Sequence, residues 1–282
     1  SVKNFNWIKK DKQLMEYFKD KFDFKRKLLI GYNLDGTVVN GDLDLRGTKI
    51  TKLPDNLTVN GGLYLRNTKI TELPNNLKVK GYLDLSYTDI TELPDNLTVN
   101  GHLDLKGTKI TELPNNLTVN GDLDLSYTEI TELPDNLTIN GSLNLRNADI
   151  IELPNNLTVN GDLDLSETDI TSLPDNLTVK RNLYLNDTPI TKLPESLTKV
   201  NGDLYLENTN ITSLPNNLTV TGDLYLIDSR NITKLPKNLT VKRNLYLTNT
   251  NIVKLPTSLW VGGKIQGIDK SIIKNWKRGT KL

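Results

Sequence analysis

Residues 93–112 read LPDNLTVNGHLDLKGTKITE, and versions of this stretch recur from about residue 38 to residue 261, mostly every 20 residues. A fixed period of this length predicts a solenoid, in which each unit buries its apolar face only by stacking on its neighbours. Eleven units centre on tripeptides running from Leu43-Asp44-Leu45 to Leu245-Tyr246-Leu247. The alternation predicts one short strand per unit, with both leucines inward and the middle residue outward. A threonine follows three residues after the second leucine, as in Thr108, and then an inward isoleucine, as in Ile110. A small side chain that donates and accepts can satisfy backbone groups where the strand turns away, and pair with the next coil.

Eleven of the twelve prolines stand in Leu-Pro pairs, with Pro189 the exception. Proline lacks an N–H and fixes φ, so the return side is expected to run extended, close to polyproline II. The fold class is thus an α/β-type repeat solenoid. Asn-Gly before most strands reads as a turn signal, replaced by Lys180-Arg181 and Lys242-Arg243 in two units. Lys199 and the Ser229-Arg230-Asn231 stretch each add one residue to the period, and Ala148 interrupts the threonines. These read as local bulges, not domain breaks.

The chain divides into residues 1–37, a helical N-terminal cap, residues 38–262, the repeats, and residues 263–282, a C-terminal cap. Leu14, Met15, Phe18 and Phe22 fall at helical spacing, with Trp7 and Phe24 beside them. An uncapped solenoid end would expose core and open strand edge. Toward the C-terminus, Ile265 continues the strand pattern, and Ile272, Ile273 and Trp276 form a short apolar set.

At this point the repeat resembles the leucine-rich-repeat family. Leu103-Asp104-Leu105-Lys106-Gly107-Thr108-Lys109-Ile110 is similar to that family's L-x-L-x-x-N-x-L core, with Thr at the Asn position. The 20-residue period and the Leu-Pro pair resemble the short bacterial subclass found in effectors delivered into host cells. Similar Thr-containing repeats occur in bacterial and phage proteins. The resemblance implies a curved array with the strands on the concave face and a role in binding proteins. The chain departs from the effectors in its Thr and in lacking the doubled proline. Some effectors carry a ubiquitin ligase with a catalytic cysteine, and this chain has no cysteine.

Composition narrows the function classes. Formal net charge is +1, which argues for neither nucleic acid nor membrane as partner. Residues 1–31 and residues 257–282 each carry net +5, so the repeats between them carry net −9. No run approaches the roughly 18 apolar residues of a membrane span, and the basic N-terminus lacks a secretory pattern. The chain opens at Ser1 without methionine, which fits a trimmed or processed chain. With no cysteine and His102 as the single histidine, thiolate chemistry, triads and His clusters are excluded. No cofactor and no catalytic residue is expected. The Asn-Leu-Thr triplets match the glycosylation sequon as a by-product of the repeat.

The outward columns carry the candidate sites. The central one reads Asp44, Tyr64, Asp84, Asp104, Asp124, Asn144 and Asp164, then Tyr184, Tyr205, Tyr225 and Tyr246. Two residues back lie Asp42, Asp122, Asp162, Asp203 and Asp223. Two residues on lie Arg46, Arg66, Lys106 and Arg146. Like charges about 4.8 Å apart repel by about 1 kcal/mol per pair even in water before screening. Three readings stand open for the acidic columns: internal pairing, a site for a basic protein segment, or a divalent cation site. The four tyrosines read either as cross-strand packing or as a contact patch. On the return side Glu72, Glu92, Glu112, Glu132 and Glu152 give way to Ser172, Lys192, Ser213, Lys234 and Lys254, which reads as a solvated face. The leading functional reading is a non-enzymatic protein-binding scaffold. The alternatives are a glycan- or cell-surface-binding module, with tyrosines as stacking platforms, and a component of a larger assembly such as a virus particle.

Overall fold

The computed structural model describes residues 24–29, 31, 33–95 and 97–279. The helix expected near residues 10–22, with Trp7 beside it, lies outside the described residues. Residues 24–29 are helical, and Phe24 is buried in the core.

The repeats form a parallel solenoid. The Leu-x-Leu segments make a 12-stranded sheet of two-residue strands, from Leu43–Asp44 to Ile265–Gln266. The register advances one repeat per strand, with Leu43 opposite Leu63 and Leu123 opposite Leu143. Both leucines of every tripeptide are buried, as in Leu103 and Leu105. The core is one column of Leu, Ile and Val that runs the length of the array.

Each coil contains a second strand, so the expectation of a single strand per unit is corrected. Val38–Val39, Thr58–Val59 and their equivalents through Thr178–Val179 form an eight-stranded sheet, and Lys199–Val200 through Trp260–Val261 a four-stranded one. The physical reason lies in spacing. Proline stands four residues ahead of the Thr-Val strand, so its missing N–H falls outside the ladder. The β-branched Thr-Val pair suits a pleated surface. Nor is the return one continuous extended run. The Pro74 carbonyl accepts the Leu77 N–H at 3.1 Å, and Pro94 and Leu97 do the same at 3.0 Å, closing a tight turn of a kind that recurs after most Leu-Pro pairs.

The one-residue insertion at Lys199 falls where the second sheet divides, while the first sheet passes through it with Leu183 opposite Leu204. At the other insertion, Ser229 occupies the threonine rung, and Val220 still pairs with Val241. Both insertions are local.

The threonines bond within their own coil instead of to the next. Thr108 Oγ1 donates to the Leu105 carbonyl at 2.7 Å, and Thr88 and Thr168 repeat the contact. Two depart from this: Thr209 also meets Ser229 Oγ of the following coil at 3.0 Å, and the buried Thr68 Oγ1 has no hydrogen-bond partner among the described residues. Glycine in the Asn-Gly pairs serves close approach. A Cβ on Gly121 would stand 2.8 Å from the Gly101 carbonyl carbon. Most left-handed residues fall three positions after a Leu-x strand, at Gly107, Asn147 and Asp187 and also at Tyr87, Tyr127 and Glu167, with others at Asn56, Asn156, Asn217 and Asn238 after Leu-Pro pairs and at Gly41 of Asn40-Gly41.

At the C-terminal end, helix Lys270–Gly279 begins at Asp269, whose carboxylate accepts the Ser271 N–H at 2.7 Å. Ile272 and Trp276 pack on the core, and the Trp276 indole N–H donates to the Pro256 carbonyl at 3.0 Å.

Candidate functional site: the outward face of the strand sheet

The 12-stranded sheet presents its middle residues in register, so each column expected from the sequence is a physical row. Tyr184, Tyr205, Tyr225 and Tyr246 form one continuous stack. Adjacent ring centroids lie 4.5, 4.5 and 4.6 Å apart, with planes within 11°, 4° and 3° of parallel. The ring spacing matches the strand spacing, so in-register strands impose the stack. All four rings are half-buried. Their hydroxyls lie against the neighbouring column. Asn182 Nδ2 donates to the Tyr184 hydroxyl at 3.1 Å, and the Tyr205 and Tyr225 hydroxyls face Asp203 and Asp223 at 3.4 and 3.3 Å. Burial, reinforced by those carboxylates, raises the phenol pKa values, Tyr225 to about 12.

Stacking bears on the glycan reading. A sugar packs on the face of a ring, and here each inner ring has another ring on both faces. What the stack presents outward is a ridge of ring edges.

The acidic columns hold the coils together. Asp84 is buried, and its Oδ1 accepts both the Ser86 N–H at 3.0 Å and the Ser86 hydroxyl at 2.5 Å. Asp44, Asp104, Asp124 and Asp164 each accept the N–H of the residue two positions on. Where the strand ends, that N–H would otherwise lack a partner, and aspartate supplies one. Of the three readings left open for the acidic columns, this capping bears on internal pairing, most clearly at Asp84, although the partners are backbone and hydroxyl groups and not cations.

The second column forms a ladder between coils. Asp42 Oδ1 accepts the Gly62 N–H at 2.7 Å, Asp122 that of Ser142 at 2.7 Å, and Asp162 that of Asn182 at 2.9 Å. Asp203 and Asp223 continue it to Asp223 and Asn244. His102 and Ser142 fill the same role through Nδ1 and Oγ. The ladder therefore requires an acceptor and not a charge.

Individual carboxylates differ. Arg46 grips Asp44 at 2.7 Å and holds its pKa below the usual carboxylate range. Burial raises that of Asp104, with the Asp124 charge adding to it. Beyond Arg46, the basic column does not pair with aspartates. Arg66 lies over Tyr87 at 5.2 Å, Lys106 over Tyr127 at 5.3 Å, and Arg146 pairs with Glu167.

Sequence reasoning passed over several aromatics on this face. Tyr82 packs edge-on between Tyr64, at 5.6 Å, and His102, at 6.0 Å, and its hydroxyl donates to Asp104 at 3.0 Å. Its position two residues before Asp84 was the available signal, since i and i−2 share a strand face. Tyr87 and Tyr127 are exposed at left-handed positions, which no alternation pattern reveals. Among the described residues, no group of three or more His, Cys, Asp or Glu is placed to hold a metal ion, and no helix is long and apolar enough to cross a membrane.

Inward leucines on short parallel strands, repeated every 20 or 21 residues, make this a leucine-rich-repeat solenoid. No protein-family model and no curated protein matches the chain. Among solved structures it is similar to the leucine-rich-repeat protein LIC12759 of Leptospira interrogans, at 16% identity and a TM-score of 0.32, over 91% of this chain and 97% of that one. It is also similar to YopM from Yersinia enterocolitica, at 19% identity and a TM-score of 0.21, over 90% and 88%. The coil itself, rather than these overlaps, defines the class.

Proposed function

We propose that the chain is a non-enzymatic interaction scaffold that binds a protein partner through the outward face of its strand sheet. The Tyr184–Tyr246 ridge is the anchor. The observation that supports this is the stack itself: four half-buried phenols in one continuous row, where the preceding members of the column are, apart from Tyr64, Asp and Asn. Their side chains are already ordered by one another, so a partner would bind them at little further entropy cost. Tyrosine is enriched where binding energy concentrates.

Asp203 and Asp223 flank the ridge, and Asp104, Asp124 and Asp164 lie farther along the sheet. Their hydrogen bonds are made to backbone, hydroxyl and side-chain amide groups within the chain and not to cations, which leaves a negative field over this part of the sheet. It would steer a partner carrying a basic segment and leave the contact energy to the tyrosines.

The test is a pull-down from host lysate read by mass spectrometry, comparing the intact chain with Tyr184/Tyr205/Tyr225/Tyr246→Ala, its fold checked by circular dichroism. A protein retained by the first and lost by the second supports the ridge. Equal retention would remove the tyrosines from the site.

A further inference from the structure

The Leu-Pro face carries a charge pattern that the strand-face reading does not use. One exposed residue per coil precedes each Leu-Pro pair. From the second coil it reads Glu72, Glu92, Glu112, Glu132 and Glu152, then Ser172, Lys192, Ser213, Lys234 and Lys254. The row is its own complement when reversed. Laid antiparallel on a copy of itself, Glu72 falls opposite Lys254, Glu92 opposite Lys234, and Glu132 opposite Lys192. Glu112 and Glu152 then meet the two serines, and no like charges coincide.

The centre of that reversal falls between the Glu152 and Ser172 coils. Beside it stands Ile151, which is 59% exposed on a rung that is otherwise threonine except at Val253. An exposed β-branched apolar residue at the midpoint of a self-complementary charge row is the arrangement of an interface with an apolar centre and a charged rim. At the acidic end, Glu72 and Glu92 line a groove of about 670 Å³ floored by Leu73, Pro74, Leu93 and Pro94. Lys52 already pairs with Glu72 at 3.0 Å, but Asp55 and Asp95 leave the groove with excess negative charge. The same reversal brings Lys254 and Lys234 to this groove.

We propose that the Leu-Pro face is a self-association surface on which two copies of this chain lie antiparallel, about a two-fold axis between the Glu152 and Ser172 coils. Such an interface is isologous, so each favourable pair occurs twice. Ten coils about 4.8 Å apart give a strip about 45 Å long. At about 10 Å wide it would bury about 900 Å² in total, near the lower limit for a specific complex. The dimer is therefore weak and salt-sensitive.

The test uses sedimentation of the whole chain and two charge variants, Lys192→Glu/Lys234→Glu/Lys254→Glu and Glu72→Lys/Glu92→Lys/Glu132→Lys. All six positions are exposed, and circular dichroism checks the fold. The natural chain is expected to dimerise at about 0.05 M salt and to dissociate by about 0.5 M. Each variant alone is expected to lose the dimer by tenfold or more, and an equimolar mixture to regain it. Because the chain has no cysteine, Ile151→Cys gives a register-specific readout. Under mild oxidant it should cross-link the dimer across the axis, whereas Val253→Cys, five coils away, should not. A natural chain that stays monomeric at low salt and high concentration overturns the proposal. So does a mixture that fails to associate, or cross-linking that is equal at the two positions.

Discussion

Tyr205 and Tyr225 stack with centroids 4.5 Å apart and planes 4° from parallel, so each covers a face of the other. The row is cooperative in a simple sense, because an inner ring has two ring partners and an end ring has one. Stacked pairs contribute about 0.5–1.5 kcal/mol each beyond their buried area. Tyr225→Ala should therefore destabilise the chain by about 1–3 kcal/mol more than the gain from any relaxed repulsion, and by more than Tyr246→Ala. Tyr225→Phe keeps the stack and should cost about 1 kcal/mol or less. Urea unfolding midpoints of the three variants check the order.

Asp84 tests whether the acidic column is structural. Its Oδ1 accepts two hydrogen bonds from Ser86 in a buried setting. Asp84→Ala leaves both donors without that acceptor and should cost about 1–3 kcal/mol. Asp84→Asn retains the acceptor and removes a charge that neighbours Asp104 in the column. It should be close to neutral. Equal losses in thermal stability for the two variants would mean that the negative charge matters, not the hydrogen bond.

The period, the inward leucines and the outward columns were legible because stacking makes sequence offset and spatial neighbourhood the same thing. Leu43 sits opposite Leu63 because they are one repeat apart. The second strand was not legible. Leu-Pro suggested that the return could not join a ladder, but the Thr98–Val99 strand starts four residues after Pro94, beyond the reach of the missing N–H. The tasks of the aspartates were hidden for another reason. A column of like charges reads as a field, whereas Asp122 and Asp162 act through one oxygen each, aimed at a backbone N–H of the next coil. His102, Ser142, Asn182 and Asn244 in the same row hinted that an acceptor sufficed.

Asp104 should make stability depend on pH in an unusual direction. Burial, with the Asp124 charge behind it, raises its folded pKa. A carboxyl with a raised folded pKa binds its proton more tightly folded than unfolded. Its contribution is fully present below the unfolded value, and is lost as pH rises through the folded one. Asp104→Asn keeps an acceptor for the Lys106 N–H. The variant should be more stable than the natural chain at neutral pH, by about 1 kcal/mol or less given partial exposure. That advantage should shrink as pH falls through the raised folded value and be gone once pH is below the unfolded value, near 4. Asp44 has the opposite sign. Arg46 lowers its pKa, so its contribution is present above the unfolded value and fades in acid. Thermal denaturation of Asp104→Asn and Asp44→Asn from pH 3 to 7 separates the two, and an advantage of Asp104→Asn that grows in acid would refute the assignment.

The tyrosine ridge should also declare itself in alkali. Burial raises the phenols of Tyr184, Tyr205 and Tyr225, with Asp203 and Asp223 adding repulsion to any phenolate, and Tyr225 reaches about 12. Tyr82 is raised for the same reason, beside Asp104. An unfolded phenol ionises near 10. These residues therefore contribute stability that is complete below pH 10 and declines as pH rises toward 12. Titration of phenolate absorbance should show a late class that ionises above the range of an unfolded phenol, as the fold gives way. Tyr184/Tyr205/Tyr225→Phe should remove most of that late class. A late class of unchanged size in the variant would mean that the ridge is open to hydroxide, and that its rings are not packed as the stack requires.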